Sequence, residues 1–210
     1  MSSPTAHITR RPSRARVRRR RLVALLAAGV LGAAVAALVI GVLPLGDAVR
    51  EITLPLRHDD IIRQQASDKG LDPALVAAVI YEESRFRDQT SHAGARGLMQ
   101  LTPETADFIA RRSGGVRFKH SDLATPQINI AYGAWYLRYL IDHYEGSESL
   151  AIAAYNAGQT NVDAWVERAG GLGQFDSARH IPFPETRAYV QNVQDRRREY
   201  RENYADELGL

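Results

Sequence analysis

Residues 72–86, DPALVAAVIYEESRF, decide how the chain is read. Asp72 at the N-cap and Pro73 at the first helical position announce a helix: the carboxylate satisfies a free backbone amide, and proline has no amide to leave unpaired. At about 100° per residue, with Leu75 at zero, Val79, Val76 and Ile80 fall at roughly 40°, 100° and 140°, and Glu83 at roughly 80°. Glu83 therefore points inward, among aliphatic side chains. Its neighbour Glu82, at roughly 340°, lies at the edge of that stripe. Desolvation disfavours the charged form of a carboxylate, so Glu83 is expected to hold its proton to a higher pH than an exposed glutamate and to serve as a general acid. A lone inward glutamate is more ordinarily a partly buried partner of an arginine, and only the other segments of the chain can decide between the two roles.

The 210-residue chain has no cysteine, which removes disulfides, thiolate metal sites and a cysteine nucleophile together. Its net charge of +3 sums two unlike parts. Residues 1–21 hold eight arginines and no acid, which leaves 19 basic against 24 acidic residues in the rest. A nucleic-acid role is disfavoured, because the basic run leads straight into an apolar one. Residues 22–43 are free of charge, about 33 Å as a helix against a hydrocarbon core of roughly 30 Å. The arginines before this run predict an anchor with its N-terminus in the cytoplasm and the domain outside. A cleaved signal peptide is the competing reading, and it also exports the domain.

The expected organisation is an Arg-rich cytoplasmic tail over 1–21, a transmembrane signal anchor over 22–43, a linker without regular structure over 44–57, and a catalytic domain over 58–210. Within the domain, Gly70 ends a first helix, Asp72 and Pro73 open the second, Thr102 and Pro103 a third, and Thr125 and Pro126 a longer fourth. Ser147 caps a fifth, residues 160–169 form a sixth, and the segment after Pro182 and Pro184 enters a last long helix. No stretch alternates with period two beyond a possible small hairpin near 92–100, so the predicted class is all-α. The architecture expected is an irregular orthogonal helical domain with a substrate groove, preceded by one N-terminal transmembrane helix.

Three more segments are hard to explain by packing alone. They are SHAGARGLMQLTPETA from Ser91, with Met99 and Gln100 after two glycines; AYNAG, holding Tyr155 and Asn156; and FPETRAYV, holding Glu185. Together with Glu83-Ser84, Phe86 and NIAYGAWYLRYL at 129–140, in this order, they closely resemble the soluble lytic transglycosylase (SLT) domain family. That is a lysozyme-like family, of the α+β lysozyme-like superfamily, acting on bacterial peptidoglycan. The resemblance runs from about Ile61 to Val193. Relatives often place Asp before the proline where this chain has Thr125, which serves equally as a cap.

The resemblance implies cleavage of the β-1,4 bond between N-acetylmuramic acid and N-acetylglucosamine with Glu83 catalytic, acting first as acid and then as base, and a 1,6-anhydro product. It carries over Tyr155 as a residue orienting the acid, Asn156 as a support of the groove, Met99 and Gln100 as its lining, and Ser91 as a contact to an N-acetyl or lactyl group. Glu185 either binds the stem peptide or braces the last helix by pairing with Arg187 or a neighbour. No cofactor is implied. The six histidines stand apart, without metal-ligand spacing, so no metal is expected either. The partners expected are peptidoglycan glycan strands and a membrane, not nucleic acid. A hydrolytic muramidase on the same scaffold and a non-catalytic wall-binding module remain open. Tyr132, Trp135, Tyr136 and Tyr139 fit core packing better than a sugar platform, and Arg196 to Arg198 fit a solvated face.

Overall fold

The structure, a computed structural model, describes residues 25–38, 45–115 and 117–210. The Arg-rich tail lies outside the described residues, as do the ends of the apolar run. Residues 25–38 of that run are helical, and no helix among the described residues is long and apolar enough to cross a membrane. A further helix covers Leu45–Thr53, so the segment expected to be an irregular linker is largely helical. Gly46 and Asp47 do not stop it, and the first proline able to interrupt it is Pro55.

The compact unit that follows begins at Leu54 and not at His58. The reason is packing: Leu54 is buried, and the hydroxyls of Tyr200 and Tyr204 donate to the carbonyls of Pro55 and Leu54 at 2.7 Å each. Its helices are α1 Asp59–Lys69, α2 Pro73–Ser84, α3 Pro103–Ser113, α4 Pro126–His143, α5 Glu148–Ala157, α6 Gln159–Ala169, α7 Ser177–His180, α8 Pro184–Asn203 and α9 Ala205–Leu208. No strand interrupts them among the described residues; the expected hairpin is two isolated bridges, Thr90 with Arg96 and Arg96 with Leu101.

Local chemistry explains most of the boundaries. The carboxylate of Asp72 accepts from the amide of Ala74, the hydroxyl of Thr102 from that of Thr105, and Gly70 and Gly114 close α1 and α3 in left-handed conformation. Thr125 and Ser147 occupy N-cap positions without a side-chain cap bond, so proline at the next position carries the start of α4 unaided.

The most extensive helix pair is α2 against α8, and it sets the frame of the site. At one end, Asp72 takes ion pairs from Arg197 and, at 3.0 Å, Arg201, and Arg197 also reaches Glu148 at 2.5 Å. At the other end, Tyr189, Asn192 and Arg196 bond to Glu83 and Glu82. The start of α2 thus meets the late part of α8 and the end of α2 its early part, so the two helices run antiparallel with both ends clamped. Arg196 and Arg197 are therefore not a solvated face; of the three, only Arg198 is well exposed, pairing with Asp195.

Asn129 of α4 ties the loop between α2 and α3 to the rest. It is fully buried; its Oδ1 accepts from the Met99 amide at 2.8 Å and its Nδ2 donates to the carbonyls of Arg96 and Leu123 at 2.9 and 3.0 Å. Gly97, at φ +80°, leaves the room for it: a Cβ there would stand 2.1 Å from Asn129 Nδ2. Removing the amide strands the buried Met99 amide and Leu123 carbonyl, while the Arg96 carbonyl keeps the Leu101 amide, so Asn129→Ala is expected to cost on the order of 3 kcal/mol, read as a lower denaturation midpoint in urea.

Candidate active site

Burial on α2 does not follow a stripe. Ala74 through Tyr81 are all buried, so the helix is enclosed on every side and angular position alone does not set Glu83 apart from Glu82. Both carboxylates sit in the last turn, where the helix is only partly covered, and their partners distinguish them. Glu82 faces Arg196 Nε at 3.5 Å and accepts from Asn192 Nδ2 at 3.3 Å. Glu83 Oε1 instead accepts from the hydroxyl of Tyr189 at 2.5 Å. It is the glutamate with a neutral partner, and the arginine pairing that would make it a structural residue went to its neighbour.

Burial raises the Glu83 carboxyl to about 7; the Tyr189 hydrogen bond opposes the rise and the adjacent Glu82 charge adds to it. Tyr189 is itself buried, and burial together with the Glu83 charge pushes its hydroxyl well above the usual range, so it stays a neutral donor. Tyr155 is shifted upward by the same two causes, burial first.

The remaining predicted residues are brought to this end of the domain, but several do other work than expected. Tyr155 Oη donates to the Met99 carbonyl at 2.9 Å within reach of the Glu83 charge, and the hydrogen bond to the acid itself comes from Tyr189. Met99 is fully buried, and its sulfur lies against Gly133 of α4, where a Cβ would come within 2.3 Å; its side chain packs the core and does not line a groove. Gln100 holds φ +46° with its Nε2 donating to the carbonyls of Gly97 at 2.7 Å and Gln89 at 2.9 Å, which fixes the loop and leaves Oε1 open. Ser91 Oγ closes its own loop by accepting from the Ala95 amide at 3.1 Å. Asn156 Oδ1 accepts from Thr186 at 2.9 Å, joining α5 to the start of α8. Glu185 is exposed and pairs with nothing among the described residues, while Arg187 turns to the Ile181 carbonyl, so the expected Glu185–Arg187 brace does not form.

Ser84 and Tyr189 carry weight that the sequence alone did not assign. Ser84 Oγ donates to the carbonyls of Ile80 at 3.1 Å and Leu98 at 2.7 Å, stapling the end of α2 to the glycine loop. Arg85 and Phe86 come next with φ of 50° and 59°, two strained residues that turn the chain away sharply and bury the Phe86 ring. The signal for Tyr189 was its place with Thr186, Val190 and Val193 on the buried face of α8: a phenol there needs an acceptor.

The site is thus an enclosed, protonatable carboxyl at the end of a helix, steadied by a phenol from a second helix. The chain belongs to the transglycosylase SLT domain family, whose model matches residues 60–177. The soluble lytic murein transglycosylase of Escherichia coli K12 is 32% identical over 146 residues, covering 68% of this chain and 23% of that protein. Among solved structures, an inactive mutant of the lytic transglycosylase Slt of Pseudomonas aeruginosa matches with TM-score 0.65 and 35% identity, over 73% of this chain and 25% of that one. The 70 kDa soluble lytic transglycosylase of Escherichia coli matches with TM-score 0.68 and 31% identity, over 75% and 26%. The chain thus spans about a quarter of the length of these relatives.

Two measurements probe the carboxyl directly. In the unfolded chain Glu83 titrates near 4.5 and in the folded one near 7, so between these values the folded state keeps a proton that the unfolded state has lost, and stability falls as pH rises. Glu83→Gln should therefore melt above the parent at pH 8, by up to roughly 3 kcal/mol, with the gain gone below about pH 4. In an NMR titration of the Glu83 side chain, Tyr189→Phe should move the midpoint up, because a bond to the charged form is lost. Glu82→Gln should move it down, because a like charge is lost.

Proposed function

We propose that this chain is a peptidoglycan lytic transglycosylase, cleaving the β-1,4 bond between N-acetylmuramic acid and N-acetylglucosamine. The observation that carries the reading is the Glu83 carboxyl, held protonated to about pH 7 with a neutral phenol as its partner. As an acid it protonates the glycosidic oxygen while the bond from C1 to that oxygen breaks. The resulting carboxylate then accepts the proton of the muramic C6 hydroxyl as O6 bonds to C1, closing the 1,6-anhydro ring and restoring the starting state. Glu82 is the one other carboxylate that Glu83 feels strongly, and Arg196 with Asn192 holds it. A two-carboxylate mechanism asks for a second acid standing free across the substrate, whereas a single group used twice needs none.

The buried Tyr189 suits both halves of this cycle. Its hydroxyl stabilises the carboxylate left after proton donation, without the full charge that would keep Glu83 ionised from the start. Met99, Gln100, Ser91, Tyr155 and Asn156 act mainly by holding the loop and α5 in place around the acid, and Glu185, exposed and unpaired, is left to meet the stem peptide. The site is proposed to work outside the cytoplasmic membrane, with residues 22–43 as anchor; the charge asymmetry around that run supports this orientation.

Digestion of purified sacculi by the full chain tests the reaction. The parent should release soluble muropeptides with anhydro ends, and Glu83→Gln should lower release at least a thousandfold while remaining folded. Products heavier by one water would mean hydrolysis, and binding without soluble product would mean a wall-binding module; either result removes the transglycosylase reading.

A further inference from the structure

Between α5, α7 and α8 lies a cavity of about 360 Å³, within the size range of small-ligand pockets, roughly 300–1,000 Å³. It stands apart from the site around Glu83. At about 100° per residue along α8, with Tyr189 at zero, Asn192 and Arg196 fall at roughly 300° and 340°, on the side that meets the two glutamates. Gln194, Arg187 and Gln191 fall at roughly 140°, 160° and 200°. The cavity they line therefore opens on the face of α8 opposite the acid.

The chemistry of the lining is sorted. Its one charge is the guanidinium of Arg187, and no acid lines it. Arg187 is half-buried; one Nη1–H is given to the Ile181 carbonyl, and it forms no ion pair among the described residues, so Nε and Nη2 are unused. The hydroxyl of Ser177 has no partner among the described residues. Ser149 Oγ accepts from Gln194 Nε2 at 2.9 Å, which leaves its own proton to donate. Gln194 spends its nitrogen there and Gln191 spends its nitrogen on Asp195 at 2.8 Å, so both side-chain carbonyls are open acceptors. The apolar part comes from Ile181 and Val190, both buried, and Ala178.

A guanidinium and two hydroxyls suit a carboxylate, which accepts from all of them and takes parallel N–H bonds from arginine. Two amide oxygens suit a peptide N–H, and the apolar surface suits a short aliphatic side chain. The unit that brings these three together is the last residue of a peptide chain. We propose that this cavity binds the carboxyl end of a peptide whose final residues are small and aliphatic, with Arg187 as the anchor of the carboxylate. The site gives the domain a hold on a peptide that does not depend on the reaction at Glu83.

An NMR titration of the full chain with N-acetyl-alanyl-alanine, followed at the side-chain amides of Gln191 and Gln194, tests it. The peptide with a free carboxyl should bind at least about tenfold tighter than its C-terminal amide, because the bonds to Arg187 are charge-assisted only for the acid. Arg187→Gln should erase that difference. Should Arg187→Gln unfold the domain, Ser177→Asp keeps the guanidinium and sets a negative charge beside the carboxylate. It should weaken the free acid about tenfold or more and leave the amide nearly unchanged. No shift at either glutamine, equal binding of acid and amide, or a difference that survives both substitutions overturns the site. Peptides of L- and D-alanine identify the source: tighter binding of the D form assigns it to the stem peptides of the wall, which end in D-residues, and tighter or equal binding of the L form to the end of a protein chain. Both outcomes support the site. The readout is binding alone, so its failure leaves the reading of Glu83 untouched, and loss of sacculus digestion bears on that reading and not on this site.

Discussion

The peptide units of Leu98 and Met99 are where the helices of this domain meet, and the position of everything else near Glu83 depends on them. Ser84 at the end of α2 donates to the Leu98 carbonyl, Tyr155 of α5 donates to the Met99 carbonyl, and Asn129 of α4 accepts from the Met99 amide. A short loop segment is thus pinned by side chains from three helices. The Ser84 and Asn129 bonds are buried, so loosening either leaves a polar group without water to replace it. Glycine is required at position 97, and again at position 133 on α4, because the pinned loop comes too close to α4 for a Cβ at either. The loop is rigid as a consequence, and so is the last turn of α2 that carries the two glutamates.

On that fixed turn, electrostatics separates two chemically identical neighbours. Arg196 pairs with Glu82 and at the same time lies over the Tyr81 ring at 4.6 Å from its centroid, so its guanidinium is held from both sides and is not available to Glu83. Left with a phenol and a low-dielectric surrounding, Glu83 prefers its neutral form. The helix pair α2 and α8 makes this division of partners automatic. Clamping Asp72 to Arg197 and Arg201 at the far end fixes the register, and that register delivers Tyr189 to one glutamate and Arg196 to the other.

Much of the fold was legible because helix ends announce themselves locally. Asp72, Pro73, Thr102, Pro103, Gly70 and Pro126 mark boundaries by chemistry that operates within a turn. The contacts between helices were not legible in the same way. That Arg197 pairs with the N-cap Asp72 and does not lie on a solvated face, that Met99 fills a gap above Gly133, and that Leu54 and Pro55 belong to the domain through Tyr204 and Tyr200, all depend on which residues the tertiary fold brings together. Glu83 does have the less polar partners of the two glutamates, but the stripe on α2 is not the cause, since that helix is buried all round. The resemblance marked Tyr155 of AYNAG as a residue that orients the acid. The hydrogen bond to the acid comes from Tyr189 of FPETRAYV, to which the sequence alone assigns no role and whose place on the buried face of α8 explains it.

The cost of the arrangement argues that it is functional. An enclosed carboxyl with a raised titration point lowers stability over the pH range in which the unfolded chain would ionise it, and the fold adds two consecutive left-handed residues, Arg85 and Phe86, directly after the turn that carries it. A domain selected for stability alone would replace Glu83 with a neutral side chain that Tyr189 could equally well bond, and would relax the turn. Ordinary structural glutamates answer their burial with a cation, as Glu82 does here. Glu83 is instead given one neutral hydroxyl, which leaves the two protonation states close in free energy near neutral pH, as the proposed use of one group first as acid and then as base requires.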